Sequence, residues 1–283
     1  MKQRIITALI IAPLAIAAIF FLPLKFFMLF CAALFLLASK EWSGFVAKKP
    51  SSLVLYLFAA VLGMTLLLMP SQQIWLSGQV NPLLQSGLMM ATGWWCLSLL
   101  MVITYPKTAS IWQNSKILKS LCGLFTLIPF FWGMVLLRSV NIQLDFYYGA
   151  QLLMFVFLLV WAADTGAYFC GKKFGKHKLA ANVSPGKTIE GFLGGLLSSL
   201  LVAFVGSLFF AIPADKIVFF FIAAFATNLV SALGDLNESI FKREAGLKDS
   251  GNLLPGHGGI LDRIDSLTAA VPVFAVLYLF WLN

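Results

Sequence analysis

Long apolar runs alternate with short polar connections along this chain. Windows of about 20 apolar residues, the length that carries a helix across a bilayer core, fall at residues 5–22, 24–38, 53–69, 83–103, 120–137, 150–169, 191–211, 217–233 and 267–282. The pattern predicts an all-α polytopic membrane protein with about nine transmembrane helices. The second run, at roughly 15 residues, is short for a perpendicular crossing, and only Pro23 separates it from the first. The first run is too long for the apolar core of a cleavable signal and lacks a small-residue cleavage site, so it is expected to stay as a helix. No connection is long enough to bury a core of its own. Residues 1–283 therefore read as a single integral membrane domain.

Composition agrees with the pattern. A mean hydropathy of +0.92, with 27 Phe and 8 Trp among 283 residues, excludes a soluble fold. Cys31, Cys96, Cys122 and Cys170 form no CxxC pair and are expected to be small buried hydrophobes rather than a disulfide or zinc framework. The net charge of +9 would suit a nucleic-acid partner, but its distribution argues against one. With the N terminus in the cytoplasm, 17 of the 20 Lys and Arg fall on the cytoplasmic side, Lys48 and Lys49 among them, and only Lys25, Arg138 and Lys216 fall outside. That bias predicts a cytoplasmic N terminus and an external C terminus. The excess charge then faces anionic headgroups.

Carboxylates are scarcer and say more. Of eleven, only Glu41 and Asp145 precede residue 164. Eight lie on the cytoplasmic side of the last four runs, so residues 1–149 read as helical scaffold and 150–283 as the part that carries the chemistry. Three polar clusters stand there. In the first, WAADTGAYFCGKKFGKHK, Asp164 lies about five residues, roughly 8 Å, inside its apolar run. A carboxylate so placed needs a partner or a wet cavity; it reads either as a cation partner or as an interhelical hydrogen-bonding group.

The second cluster, NVSPGKTIEGFLGG, invites a P-loop reading, but that motif needs glycine where Ala181 stands and a preceding strand of a soluble fold. What survives is Lys187 and Thr188 at the first turn of a helix. Free N–H groups there favour a phosphate, and a capping box of Ser184 and Thr188 with Glu190 is the alternative, the only reading in which Ser184 enters.

The third cluster is residues 239–265, SIFKREAGLKDSGNLLPGHGGILDRID, with the preceding SALGDLNE. Asp235, Glu238 and Lys242 share a helical face, although Glu238 and Lys242 alone could be an ordinary ion pair. Asp262 and Asp265 share another. Asp235, Asp262 and Asp265 read as a carboxylate nest for Mg²⁺, and the cations Lys242, Arg243, Lys248 and Arg263 suit the charge of a polyphosphate. Glycines around His257 would let backbone approach a ligand. Composition and spacing thus point to Mg²⁺-dependent phosphoryl or nucleotidyl transfer at the cytoplasmic face. They do not identify the nucleotide.

The pattern Ser239-x-x-Lys242-Arg243-x4-Lys248-Asp249-x5-Pro255-x-His257-Gly258-Gly259-x-x-Asp262-Arg263-x-Asp265 resembles the signature of the phosphatidate cytidylyltransferases, or CDP-diacylglycerol synthases. Asp164-Thr-Gly-Ala-Tyr168 and Ser184-Pro185-x-Lys187-Thr188-x-Glu190-Gly191 are also similar to that family. The resemblance covers about residues 160–283. It implies the reaction of CTP with phosphatidate to give CDP-diacylglycerol and pyrophosphate, with Mg²⁺ and room for a second cation, in the bacterial inner membrane. Carried onto this chain, Asp235, Asp262 and Asp265 are metal ligands with Asp249 in reserve. Ser184, Lys187, Thr188, Ser239, Lys242 and Arg243 bind substrate phosphates. Lys248, Asp249, His257 and Arg263 serve catalysis, His257 either as a donor or as a structural group. A homodimer stays open. Two other readings compete: a transferase using CTP on a different lipid phosphate, and a transporter. The transporter would place its ionisable groups near the midplane instead of at one surface.

Overall fold

The computed structural model describes residues 2–47 and 51–282, with side chains from Leu9 onward. Lys48 and Lys49, and the side chains of Lys2 and Arg4, lie outside what it describes. Among the described residues a helix stands at each of the nine apolar runs: α1 (Lys2–Phe21), α2 (Leu24–Ala47), α3 (Ser52–Leu68), α4 (Pro82–Thr104), α6 (Lys116–Ser139), α7 (Tyr148–Phe174), α8 (Ile189–Phe209), α9 (Ile217–Ala245) and α10 (Leu261–Leu277). A one-turn helix, α5 (Ala109–Trp112), precedes α6. The helices α4, α6, α7, α8, α9 and α10, the last with its extension to Leu282, are long and apolar enough to cross a membrane. This is an all-α membrane protein. Two short hairpins interrupt the helices: β1 (Trp75–Leu76) with β2 (Gln79–Val80), and β3 (Lys178–Ala180) with β4 (Ser184–Thr188).

Several helices outlast their apolar runs. α2 continues past residue 38 to Ala47, so it is 24 residues long and not the short element that its hydropathy predicts. The polar residues of that extension find partners inside the protein. Ser39 donates to Phe35 O (2.7 Å) and Trp42 Nε1 to Lys119 O (2.9 Å), while the Trp42 ring packs on Phe45 and Phe241. Likewise α7 runs five residues beyond 169, with Lys172 and Lys173 in its last turn, where cations suit the helix dipole.

α6 and α10 form the centre of the bundle: 72% and 67% of their apolar windows are buried, against 28% for α8. Around α10, Phe155 of α7 stacks on Phe220 of α9 and meets Phe274 edge-on. Buried cations tie helix ends together. Arg138, expected in an external loop, is fully buried in the last turn of α6, donating Nε to Ile19 O (2.6 Å) and Nη2 to Leu22 O (3.3 Å) at the end of α1. Lys119 donates to Phe45 O (2.8 Å) near the end of α2. Each supplies a donor to carbonyls that the helix leaves open at its C terminus. Of the cysteines, Cys31 and Cys122 are buried as expected, Cys96 is exposed and Cys170 half-buried. Cys170 packs against Gly194 of α8, where only glycine leaves room for it.

Candidate active site

Small residues bring α7 and α8 together. A Cβ on Gly195 would stand 2.6 Å from Ala163 O, and one on Gly191 would stand 2.9 Å from Ala167 O, so the two backbones touch along an antiparallel seam. Close approach through small residues is how membrane helices pack without a hydrophobic drive. Beside that seam a cavity of about 370 Å³ opens between α7, α8, β4 and α9, lined by Asp164, Tyr168, Lys172, Lys187, Thr188 and Asn228 among others. Asp164 lies about ten residues, or roughly 15 Å, from the end of α7, which continues past the apolar run through Lys172 and Lys173. It is exposed because it faces this cavity.

The sequence places Lys187 and Thr188 on the first turn of a helix; the structure corrects this. Both end strand β4, whose partner β3 pairs Lys178 with Thr188 and Ala180 with Ser184, so the hairpin claims these residues before the helix begins. Thr188 then caps α8, its Oγ1 accepting from Gly191 N (3.1 Å). Glu190 is not its capping-box partner: it accepts from Lys176 N (3.0 Å) and contacts His177 Nδ1 (2.6 Å), which holds the hairpin against α8. Lys187 leaves the hairpin toward α9 and pairs with Asp235 at 2.7 Å.

Gly234 allows the next approach. A Cβ there would lie 2.5 Å from Asp265 O, so α9 and α10 meet at the point where Asp235, Glu238 and Asp265 gather, and the charges of Asp235 and Glu238 both act on Asp265. Asp164 in turn feels Asp235, Lys187 and Arg263. Four elements, α7, β4, α9 and α10, therefore bring Asp164, Lys187, Asp235, Asp265 and Arg263 into one electrostatic environment.

Lys242 and Asp262 are arranged differently from expectation. Lys242 is buried and bridges Glu238 (3.0 Å) and Asp262 (2.8 Å), so its ammonium is held by protein carboxylates and not presented to a phosphate. Asp262 Oδ1 accepts from Lys242 Nζ, and its Oδ2 accepts from Ser250 N (2.9 Å) and Gly259 N (2.9 Å). The expected nest of three carboxylates is thus divided: Asp235 and Asp265 face the shared environment, while Asp262 organises the loop of residues 246–260. Among the described residues no three Asp, Glu, His or Cys side chains already form a metal-binding group.

The remaining expected residues are spread over that loop and its borders. Ser239 is buried and donates to Asp235 Oδ1 at 3.4 Å. Exposed Arg243 donates Nε to Val183 O (3.2 Å), joining the end of α9 to the β3–β4 turn. Ser184 is half-buried in β4. Lys248 and Asp249 are exposed and border a groove of about 590 Å³ between the loop and α2, away from Asp164. His257 sits in the turn that Leu254 and Gly258 close, its Nδ1 buried without a hydrogen-bond partner.

Two contacts had no sequence signal. Tyr105 Oη donates to Glu244 Oε1 (2.9 Å); burial first, then that hydrogen bond and the Glu244 charge, push the phenol up to about 12. Glu41, read from the sequence as scaffold, accepts from Ile260 N and Leu261 N at the start of α10. Nothing local marks a carboxylate 219 residues from its partner.

Comparison with known proteins matches residues 2–281 to the cytidylyltransferase family. The chain belongs to that family. It is 44% identical to the phosphatidate cytidylyltransferase of Haemophilus influenzae over 99% of both chains. It is 43% identical to that of Pseudomonas aeruginosa, over 98% of this chain and 96% of the relative. The phosphatidate cytidylyltransferase of Staphylococcus aureus is 36% identical over 80% and 90%. Membership makes the protein a nucleotidyltransferase.

Proposed function

We propose that this cytidylyltransferase acts on phosphatidate: CTP and phosphatidate give CDP-diacylglycerol and pyrophosphate at the cytoplasmic face of a bacterial inner membrane. The observation that carries the reading is the junction of two cavities. The polar one holds Asp164 and Lys187. The other, of about 600 Å³, is lined by apolar residues of α4, α8, α9 and the β3–β4 hairpin, and shares Leu179, Phe192 and Ala232 with the first. A charged headgroup in one and acyl chains toward the other is the arrangement a lipid phosphate needs.

A phosphatidate phosphate oxygen attacks the α-phosphorus of CTP, a new P–O bond forms, and the bond to the β-phosphate breaks with its electron pair leaving on pyrophosphate. The phosphate is already a competent nucleophile near neutral pH, so no strong base is required. Lys187, Arg243 and Arg263 provide positive charge for the phosphates, and Ser184 and Thr188 provide hydroxyls, while Lys248 stands apart on the groove against α2. His257 has a free ring nitrogen for a hydrogen bond. Asp235 and Asp265 offer carboxylate oxygens, which fit Mg²⁺ held by two carboxylates together with substrate phosphates; Asp164 is the group for a second cation, while Asp262 is engaged by Lys242 and the loop and Asp249 borders the groove against α2. Bound there, Mg²⁺ would neutralise phosphate charge.

The test is direct. Purified protein given labelled CTP, phosphatidate and Mg²⁺ is expected to form a CDP-lipid, and chelation of the metal to stop it. No product from phosphatidate, with product from a polyprenyl or ether-lipid phosphate, would transfer the reading to another lipid. Nine crossings with the N terminus inside are supported by the Lys and Arg bias between the two sides of the chain. A reporter fused after residue 283 that works only outside the cytoplasm is expected to be active; an inactive, stably made fusion sinks the orientation.

A further inference from the structure

We infer that Glu41 is a positioning residue for the active site: from α2 it fixes the 246–260 loop and the start of α10, so that the N-terminal half of the chain sets the geometry of the signature. This rests on the reaction proposed above. Glu41 is 9% exposed. Its Oε1 accepts from Ile260 N (2.9 Å), and its Oε2 accepts from Leu261 N (2.8 Å) and from Ser250 Oγ (2.9 Å). The first two donors are main-chain groups at the N terminus of α10, where the backbone lacks helical partners and a carboxylate is favoured by the dipole. α10 has no side-chain cap from its own N-cap residue, Ile260. A side chain from a helix 219 residues away does that work instead.

The same carboxylate reaches the catalytic groups through one atom. Ser250 Oγ stands 3.0 Å from Asp262 Oδ2 as well, and Asp262 holds Lys242. Glu41, Ser250, Asp262, Lys242 and Glu238 therefore form a continuous polar chain from α2 through the loop to α9. Asp262, Arg263 and Asp265 occupy the first turns of α10, directly after the two N–H groups that Glu41 grips. If α10 shifts at its start, Asp265 and Arg263 shift with it.

Two signature-region glycines are explained by this contact. A Cβ on Gly259 would collide with Ser250 Oγ and Glu41 Oε2, and one on Gly251 would lie 2.8 Å from Glu41 Oε1 and 3.0 Å from its Cγ and Cδ. For Gly251 the three nearest atoms all belong to Glu41. Its φ is not in the left-handed region, so what excludes a side chain there is Glu41 and not the backbone. The loop closes because glycine lets it lie against the carboxylate.

The experiment is a double-mutant cycle on purified full-length protein, measuring kcat and KM for CTP and phosphatidate. Glu41→Ala is expected to lower kcat about 100-fold, the scale of a displacement of about 1 Å at the reacting groups, with KM for phosphatidate changed less than threefold. Gly251→Ala is expected to lower kcat about tenfold in wild type but to have no further effect in Glu41→Ala, because the atoms it strikes are gone. Glu41→Asp, which draws the carboxylate back by one methylene, keeps the charge if Glu41→Ala does not fold. It too is expected to lower kcat. Wild-type kcat in Glu41→Asp and Glu41→Ala, or strictly additive losses in the cycle, would overturn the inference. A readout independent of the reaction separates the two proposals: trypsin is expected to cut at the exposed Lys248 faster in Glu41→Asp than in wild type, whether or not CDP-lipid is the product. Equal cleavage rates count against the positioning role.

Discussion

Lys242→Met is expected to destabilise the protein by about 3–5 kcal/mol and to abolish transfer. Lys242 is buried between Glu238 and Asp262, at 3.0 and 2.8 Å, and those two side chains are only 4% and 7% exposed. Removing one member of a buried ionic group leaves the others uncompensated in a poorly solvated site, which costs far more than the intact group contributes. Domain stabilities are about 5–15 kcal/mol, so the loss approaches the whole. Thermal unfolding of the detergent-purified protein, followed by size exclusion, measures it. The cause is separable from lost function. Lys242→Met combined with Glu238→Gln and Asp262→Asn removes the stranded charges and is expected to recover much of the melting temperature while staying inactive. A Lys242→Met protein that melts with wild type would show that these carboxylates have another partner.

Asp235→Asn is expected to do the reverse: to lower kcat about 1,000-fold and leave the melting temperature within a few degrees. Its pair with Lys187 is short, 2.7 Å, but the side chains are 30% and 27% exposed, and partly solvated pairs contribute at most about 1 kcal/mol. The amide keeps the shape and can still accept from Ser239. What it loses is the negative charge that faces Lys187, Asp164 and Asp265. Through its pair with Lys187 that charge orients a cation toward the reacting phosphates, and a preorganised cation there is worth far more to the transition state than to the fold. If Asp235 also holds Mg²⁺, the variant's activity is expected to need a higher metal concentration. Activity within tenfold of wild type at the same Mg²⁺ would remove Asp235 from both roles.

Local pattern made most of the site residues legible. Asp164 stood out because a carboxylate inside an apolar run needs a reason, and Asp235, Glu238, Lys242, Asp262 and Asp265 stood out through spacings of three and four. Which of them meet was not legible. Spacing put Asp262 beside Asp265 on α10, but a helical face is broad. Their carboxylates go different ways, one to Lys242 and the loop N–H groups, the other toward Asp235 and Glu238. Lys187 was found with its role open and its local structure wrong, since pairing with β3 overrode the helix that Gly-Lys-Thr suggests.

By itself, then, the sequence determined the all-α membrane class, the positions of the nine helices among the described residues, and the family, because hydropathy and a dense signature are properties of contiguous residues. The tertiary structure alone decided where helices end, which charges pair and what the first half of the chain does. α2 outlasts its apolar run because Trp42 and Ser39 find partners on other turns and helices, and Glu41 belongs to the site because α2 passes the start of α10. Helix ends and ion pairs are set by what lies across the bundle, and a carboxylate is satisfied by whichever donors packing brings near, at any separation along the chain.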